Sequence, residues 1–166
     1  QKYLDLVTPE AQLFEKSTRN NQLMSFRPFE NNSQAVFFDP HTMFGVESFN
    51  FIIGNPPYLV LRDKIYKPLV QHLKSIPLYT YAQGGNLNLY RHFIERSIRL
   101  LDIHGVLSFI VPSTLIADKS SSGIRRMIAE KSEIQFLAEF PEDSKIFESV
   151  TQATTIFLLE RKDRPE

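Results

Sequence analysis

Residues 86–112, "NLNLYRHFIERSIRLLDIHGVLSFIVP", restrict the possible folds more than any other part of the chain. Leu89, Phe93, Ser97, Leu100 and Leu101 recur at helical spacing and predict one buried face of a helix. Arg91, Glu95 and Arg99 recur at i, i+4 and predict a solvated ladder of charges on another face. Gly105 then opens "VLSFIVP", a near-continuous apolar run closed by Pro112, which is how a strand covered on both faces reads. A helix running into such a strand belongs to layered α/β architecture.

The rest of the chain repeats this alternation. Phe49–Ile53 is a short apolar run stopped by Gly-Asn-Pro-Pro, which predicts a buried parallel strand. "RDKIYKPLVQHLKSI" spaces Ile65, Leu69 and Leu73 as a helix, with Pro68 tolerable near its start. "DKSSSG" is a loop whose hydroxyls are expected to cap the helix "IRRMIAEK". "IQFLAEF" and "TTIFLLER" supply two more strands, joined without a helix. The fold class is therefore α/β: a mostly parallel sheet with an antiparallel hairpin at one edge. Upstream, residues 1–36 read as a polar lead-in with a short helix near Ala11–Phe14, and "AVFFDPHTMFGVESF" as packed irregular structure.

In such sheets ligands bind beyond the carboxyl ends of the strands. Asn55-Pro56-Pro57-Tyr58 follows one directly. Prolines hold φ near −65° and carry no N–H, so this loop is stiff and rich in acceptors. The Asn55 side-chain oxygen and the Pro56 carbonyl are both acceptors. Aimed at the two N–H bonds of a planar exocyclic amine, they favour a tetrahedral nitrogen and free its lone pair to attack a methyl donor. They act as fixed dipoles toward the positive charge that develops there. Tyr58 offers a ring for a base to stack on, worth about 1–3 kcal/mol. Asn-Pro-Pro is also a plain strand-terminating turn, with Tyr58 as packing; the strand immediately before it favours chemistry.

Composition removes several other classes. The 166 residues contain no cysteine, hence no disulfide framework and no thiolate nucleophile or metal site. Nineteen basic residues balance nineteen acidic ones, so any nucleic-acid role needs a local patch or a partner domain. Apolar runs are strand-sized, and no membrane span or signal peptide is expected. The four histidines show no ligand spacing, so no metal site is expected. The serines lack a nucleophile-elbow context and read as loop and cap. Asp39 and Asp118 read as turn formers. Arg62, Lys64 and Lys67 form a modest basic cluster, suited to a DNA backbone or to a solvated helix face.

Residues 37–60, "FFDPHTMFGVESFNFIIGNPPYLV", resemble the approach to the catalytic loop of amino-type DNA methyltransferases. The likeness is to the adenine-N6 enzymes of restriction–modification systems, of the type IIG and Eco57I-like kind. "LNLYRHFIERSIRLL", "GVLSFIVPSTLIADKSSSGIRRMI" and "FPEDSKIFESVTQATTIFLLER" resemble the family's succeeding segments in order and spacing. The resemblance covers most of residues 35–162 and implies a Rossmann-like S-adenosylmethionine-dependent methyltransferase sheet.

Position by position, it implies Asn55, Pro56 and Tyr58 as catalytic, with Tyr58 and Phe147 stacking on either face of a flipped adenine. It implies Pro57 and Phe93 as neighbours of the cofactor's adenine, although packing alone explains Phe93 about as well. It implies double-stranded DNA as partner and the cytoplasm of a bacterium or archaeon as location. Asn50 departs from the family, which has Asp there. A glycine-rich cofactor loop is not found before the motif, and Gly84-Gly85 comes after it. The expectation is therefore that residues 37–162 are the second half of a catalytic domain and 163–166 a tail. The cofactor-binding half and the target-recognition region would belong elsewhere in the polypeptide, and this piece alone would be inactive. Two alternatives stay open: a protein glutamine-N5 methyltransferase, which also carries this motif, or an inactive methyltransferase-like DNA-binding module.

Overall fold

A computed structural model describes residues 21, 24, 27, 30, 38–144 and 152–163. The expected helix near Ala11–Phe14 and the aromatic at Phe147 lie outside the described residues. The chain divides into two compact units, residues 1–47 and 48–166. In the first, α1 (Pro40–Phe44) is a helical turn where the sequence predicts irregular structure. Pro40 supplies a fixed φ at its first position. Gly45 ends the turn at φ 70°.

The second unit is built on four strands: β1 (Phe49–Gly54), β2 (Leu101–Pro112), β3 (Ser132–Phe140) and β4 (Thr154–Arg161). Their order in the sheet is β1-β2-β4-β3. β1 and β2 are parallel, while β4 runs antiparallel to both β2 and β3. Three strands thus share one direction, and the expected antiparallel hairpin forms the β3 edge. The parallel pair needs a crossover, and it contains α2 (Lys67–Ser75) and α3 (Leu89–Leu100). After β2 come α4 (Thr114–Ala117) and α5 (Ser122–Lys131).

β2 begins earlier than the glycine suggested. Leu101 pairs with Phe49 and Val106 with Phe51, so residues 102–105 bulge between them. His104 takes φ 62°, and a Cβ on Gly105 would stand 2.9 Å from the Phe49 carbonyl oxygen. Glycine is required by this close approach inside the strand, not at its opening.

Beyond the bulge, alternation resumes. Leu107, Phe109 and Val111 of β2 and Phe157 and Leu159 of β4 join Tyr90, Ile94 and Ile98 of α3 and Ile124, Met127 and Ile128 of α5 in one core. On the opposite face Phe51 and Ile53 are 71% and 81% exposed. The apolar run of β1 is therefore covered on one face only, contrary to its reading as a fully buried strand.

The helices depart from the sequence reading in instructive ways. The inward face of α3 is Tyr90-Ile94-Ile98, and Phe93 is 46% exposed. Arg91 and Glu95, expected in solvent, are both buried. Only Glu95 and Arg99 pair, at 2.9 Å. At the start of α5 the expected hydroxyl cap is absent; the Ser121 hydroxyl instead meets the Tyr90 hydroxyl at 3.0 Å. Asp118 does form its turn, accepting from the Ser120 amide at 2.7 Å. In the first crossover helix Leu73 is buried as expected, while Ile65 falls in a preceding 3-10 turn and is exposed.

His92 is buried in α3, with Nδ1 3.2 Å from the Asn88 carbonyl oxygen and Nε2 buried without a partner among the described residues. Burial is the main reason its pKa is pulled below 6.5, against a smaller opposing effect of that carbonyl. The folded state thus keeps the ring neutral where the unfolded chain takes up a proton. Its contribution is intact above the unfolded value and is lost as pH falls beneath it, by up to about 1.4 kcal/mol per pH unit. His92→Gln should flatten the fall in the urea midpoint between about pH 7 and about pH 5. Parallel curves for the two proteins would refute this assignment.

Candidate active site

The motif loop leaves β1 at Gly54, opposite Phe109 of β2. Parallel pairing carries the loop alongside the last residues of β2, Ile110–Pro112. There the Tyr58 hydroxyl donates to the Ile110 carbonyl at 3.0 Å. This bond folds Asn55-Pro56-Pro57-Tyr58 back over the carboxyl rim of the sheet. Burial raises the Tyr58 pKa above its ordinary value, which keeps the phenol protonated as a donor. Pro56 is buried and Asn55 and Pro57 are exposed. Among the described residues nothing hydrogen-bonds the Asn55 side chain.

The chain beyond the motif is anchored by a short antiparallel ladder. Val60 bridges Asn88, the Leu61 amide donates to the Leu87 carbonyl at 2.8 Å, and the Leu89 amide donates to the Leu59 carbonyl at 3.0 Å. Leu61, Leu73 and Leu87 close a second small apolar cluster beneath it. The entry into α3 is thus fixed relative to the motif.

Beside Tyr58 a cleft of about 690 Å³ opens between this ladder, the Gly84–Asn86 turn and the Asp118–Ser120 segment. Arg91 braces its walls. Its guanidinium donates to the Gly84 carbonyl at 2.8 Å and to the carbonyls of Asn86 and Ser120. Gly84 is tightly placed: a Cβ there would stand 2.4 Å from the Ser120 carbonyl oxygen. Desolvation is the main cause that lowers the Arg91 pKa. The Ser120 amide is the main cause that lowers the Asp118 pKa. Tyr90 reaches the hydroxyls of Thr114 and Ser121 at 3.3 and 3.0 Å, tying α3 to the α4–α5 segment.

The remaining loop between α2 and α3 is held by Glu95, whose carboxylate accepts from the amides of Thr80, Tyr81 and Ala82 at 2.9, 3.0 and 2.8 Å. Sequence reasoning placed neither Arg91 nor Glu95 at the site. Their i, i+4 spacing carries no signal that would have found them, since it reads alike on a solvated and on a buried face. Among the described residues no group of histidines and carboxylates could hold a metal, and no helix is long and apolar enough to cross a membrane.

Crossover helices packed on a strand layer, an antiparallel strand inserted beside the edge, and a loop at the carboxyl rim define a Rossmann-like methyltransferase fold. A Listeria monocytogenes structure classed among class I S-adenosylmethionine-dependent methyltransferases superposes with a TM-score of 0.53 over 73% of this chain and 35% of its own, at 20% identity. The Eco57I restriction-modification methylase family model matches residues 4–147, and the chain belongs to that family.

Among individual relatives, it is similar to the type II methyltransferase M.TthHB8I of Thermus thermophilus, 37% identical over 57% of this chain. It is also similar to M.HincII of Haemophilus influenzae, 27% identical over 78%. It is 27% identical over 69% of its length to the restriction enzyme and methyltransferase RM.Eco57I of Escherichia coli. The chain spans 24%, 24% and 11% of the length of these three relatives.

Proposed function

We propose that the full polypeptide transfers a methyl group from S-adenosylmethionine to the N6 amine of adenine in duplex DNA, within a bacterial or archaeal restriction–modification system. The observation that carries this reading is the motif loop itself. It holds an exposed carboxamide on a buried proline, clamped through Tyr58 to the end of the neighbouring strand. Membership of a modification-methylase family supports the chemistry.

The residues divide the work. Asn55 Oδ1 and the Pro56 carbonyl accept from the two amine N–H bonds, so the nitrogen lone pair turns toward the incoming methyl. No strong base is required, since the alkylated amine is acidic enough to lose its proton to water. The Tyr58 ring, fixed by its bond to Ile110, stacks on the extruded base and offsets part of the cost of flipping it. Phe147 would cover the opposite face.

S-adenosylmethionine, when bound, supplies an electrophilic methyl on a positively charged sulfur. In this chain Pro57 and Phe93 fit the edge of its adenine. Both are exposed, and Phe93 is an aromatic left in solvent on a helix whose neighbouring positions are buried. Grips for the ribose and the methionine carboxylate would come from residues other than these.

The test is product identity. The full polypeptide, given methyl-labelled S-adenosylmethionine and unmodified plasmid DNA, should yield labelled N6-methyladenine on nucleoside digestion. Label on cytosine, or on a protein glutamine, would overturn the assignment.

A further inference from the structure

The cleft beside Tyr58 contains more positive charge than its surroundings account for. Arg91 lies in its wall and is 2% exposed. Every hydrogen bond it forms among the described residues goes to a neutral carbonyl, those of Gly84, Asn86 and Ser120. Its Nε is buried with no partner among those residues. A buried guanidinium is ordinarily matched by a carboxylate, because carbonyl dipoles replace only part of the missing hydration.

Arg62 and Lys119 also line the cleft and are exposed, and neither forms an ion pair with a described carboxylate. Asp118 lines it too, but that carboxylate is directed to the Ser120 amide. Three cations therefore face one carboxylate. Hydroxyl and amide groups of Thr114, Ser122 and Asn88 complete the lining, with Asn88 Oδ1 buried and unpartnered among the described residues.

We propose that this cleft is a phosphodiester subsite: it grips the backbone of the strand whose adenine stacks on Tyr58, with Arg62 and Lys119 in contact and Arg91 supplying charge from the wall. The inference rests on the DNA methyltransferase reading above. Its chemistry is that of a poly-anion with a diffuse charge, which suits two flexible cations around a deep fixed one. Its position also fits. A base drawn out of the duplex keeps its own phosphates within a bond or two of the sugar, so the pocket for the base must adjoin a site for the backbone.

The experiment uses the full polypeptide, wild type and the double variant Arg62→Gln/Lys119→Gln, with duplexes containing the target site. The slope of log affinity against log salt should fall by about 2 in the variant, at roughly 0.9 for each phosphate that is no longer neutralised. Unchanged S-adenosylmethionine affinity and circular dichroism certify folding. A second arm replaces each phosphate flanking the target adenine by an uncharged methylphosphonate. One such duplex should bind wild type at least tenfold more weakly and should cost the variant nothing further.

An unchanged salt slope overturns the proposal. So does a methylphosphonate penalty that persists in full in the variant, which would mean that the two cations act at a distance. Selective displacement of DNA by inorganic phosphate, beyond that of chloride at equal ionic strength, would make the cleft a free-phosphate site and overturn it as well. Failure of the wild type to methylate adenine is a different result, which removes the functional reading beneath.

Discussion

Asn55→Ala in the full polypeptide is expected to slow single-turnover methyl transfer by at least about 10²–10³-fold, the usual consequence of deleting one preorganised dipole aimed at developing charge. Two features of the structure make the variant clean. Asn55 is exposed, and no described residue hydrogen-bonds its side chain, so truncation strands no buried partner. A surface change of that kind alters stability by less than about 0.5 kcal/mol. Tyr58 keeps its bond to Ile110, so the proposed stacking platform survives.

DNA affinity should therefore stay within about twofold while the rate collapses, the signature of an interaction made chiefly in the transition state. Asn55→Asp keeps an acceptor oxygen at this position and should recover part of the rate. The measurement is rapid-quench methylation at saturating cofactor, beside a DNA-binding titration. A rate within about threefold of wild type would remove Asn55 from the chemistry, and with it the reason for reading the motif as more than a turn.

The strand skeleton was legible because apolar runs and their punctuation act locally. Pro112 stops β2, Gly54 and the paired prolines stop β1, and "TTIFLLER" is an apolar run of strand length ended by charges. The antiparallel pairing of β3 with β4 was legible because the sequence joining them shows no apolar helical spacing.

What failed depended on neighbours distant in sequence. Arg91, Glu95 and Arg99 at i, i+4 look the same whether solvent or a loop lies opposite; here the loop at residues 80–86 faces two of them. Phe93 looks like a core residue by spacing, yet the core side of α3 is set by Tyr90, Ile94 and Ile98, a register one residue away. An apolar run such as Phe49–Ile53 reports that a strand is covered, not on how many faces. Gly105 marks close backbone approach to Phe49, which only the pairing of β1 with β2 creates. The motif was legible as a stiff loop at a strand's carboxyl end because paired prolines carry their geometry with them; the cleft beside it was not, because its walls come from four separate segments.

Glu95 holds the loop that leads into one wall of that cleft, and Glu95→Ala should be far more destabilising than Asn55→Ala. Its side chain is fully buried, and three consecutive amides, Thr80, Tyr81 and Ala82, converge on the carboxylate. Arg99 approaches the same group at 2.9 Å from the solvent side. Successive amides around one anion form a concave nest whose strength depends on the charge within it. Truncation leaves the Ala82 amide unpaired in the interior and lets water reach those of Thr80 and Tyr81 at the margin. The net cost is about 2–4 kcal/mol, a large share of the roughly 5–15 kcal/mol that holds a domain together.

Glu95→Gln keeps one acceptor oxygen and should lose roughly half as much. Urea unfolding gives the energies, and amide hydrogen exchange gives the location: residues 80–82 should lose protection well before β2 and β4. Because the same loop presents the Gly84 and Asn86 carbonyls to Arg91, its release unbraces one wall of the cleft. DNA affinity should then fall in Glu95→Ala at temperatures where the sheet is still intact. A loss of stability below about 1 kcal/mol, with exchange at 80–82 unchanged, would show that the loop is held by its apolar contacts and that the buried carboxylate is incidental to it.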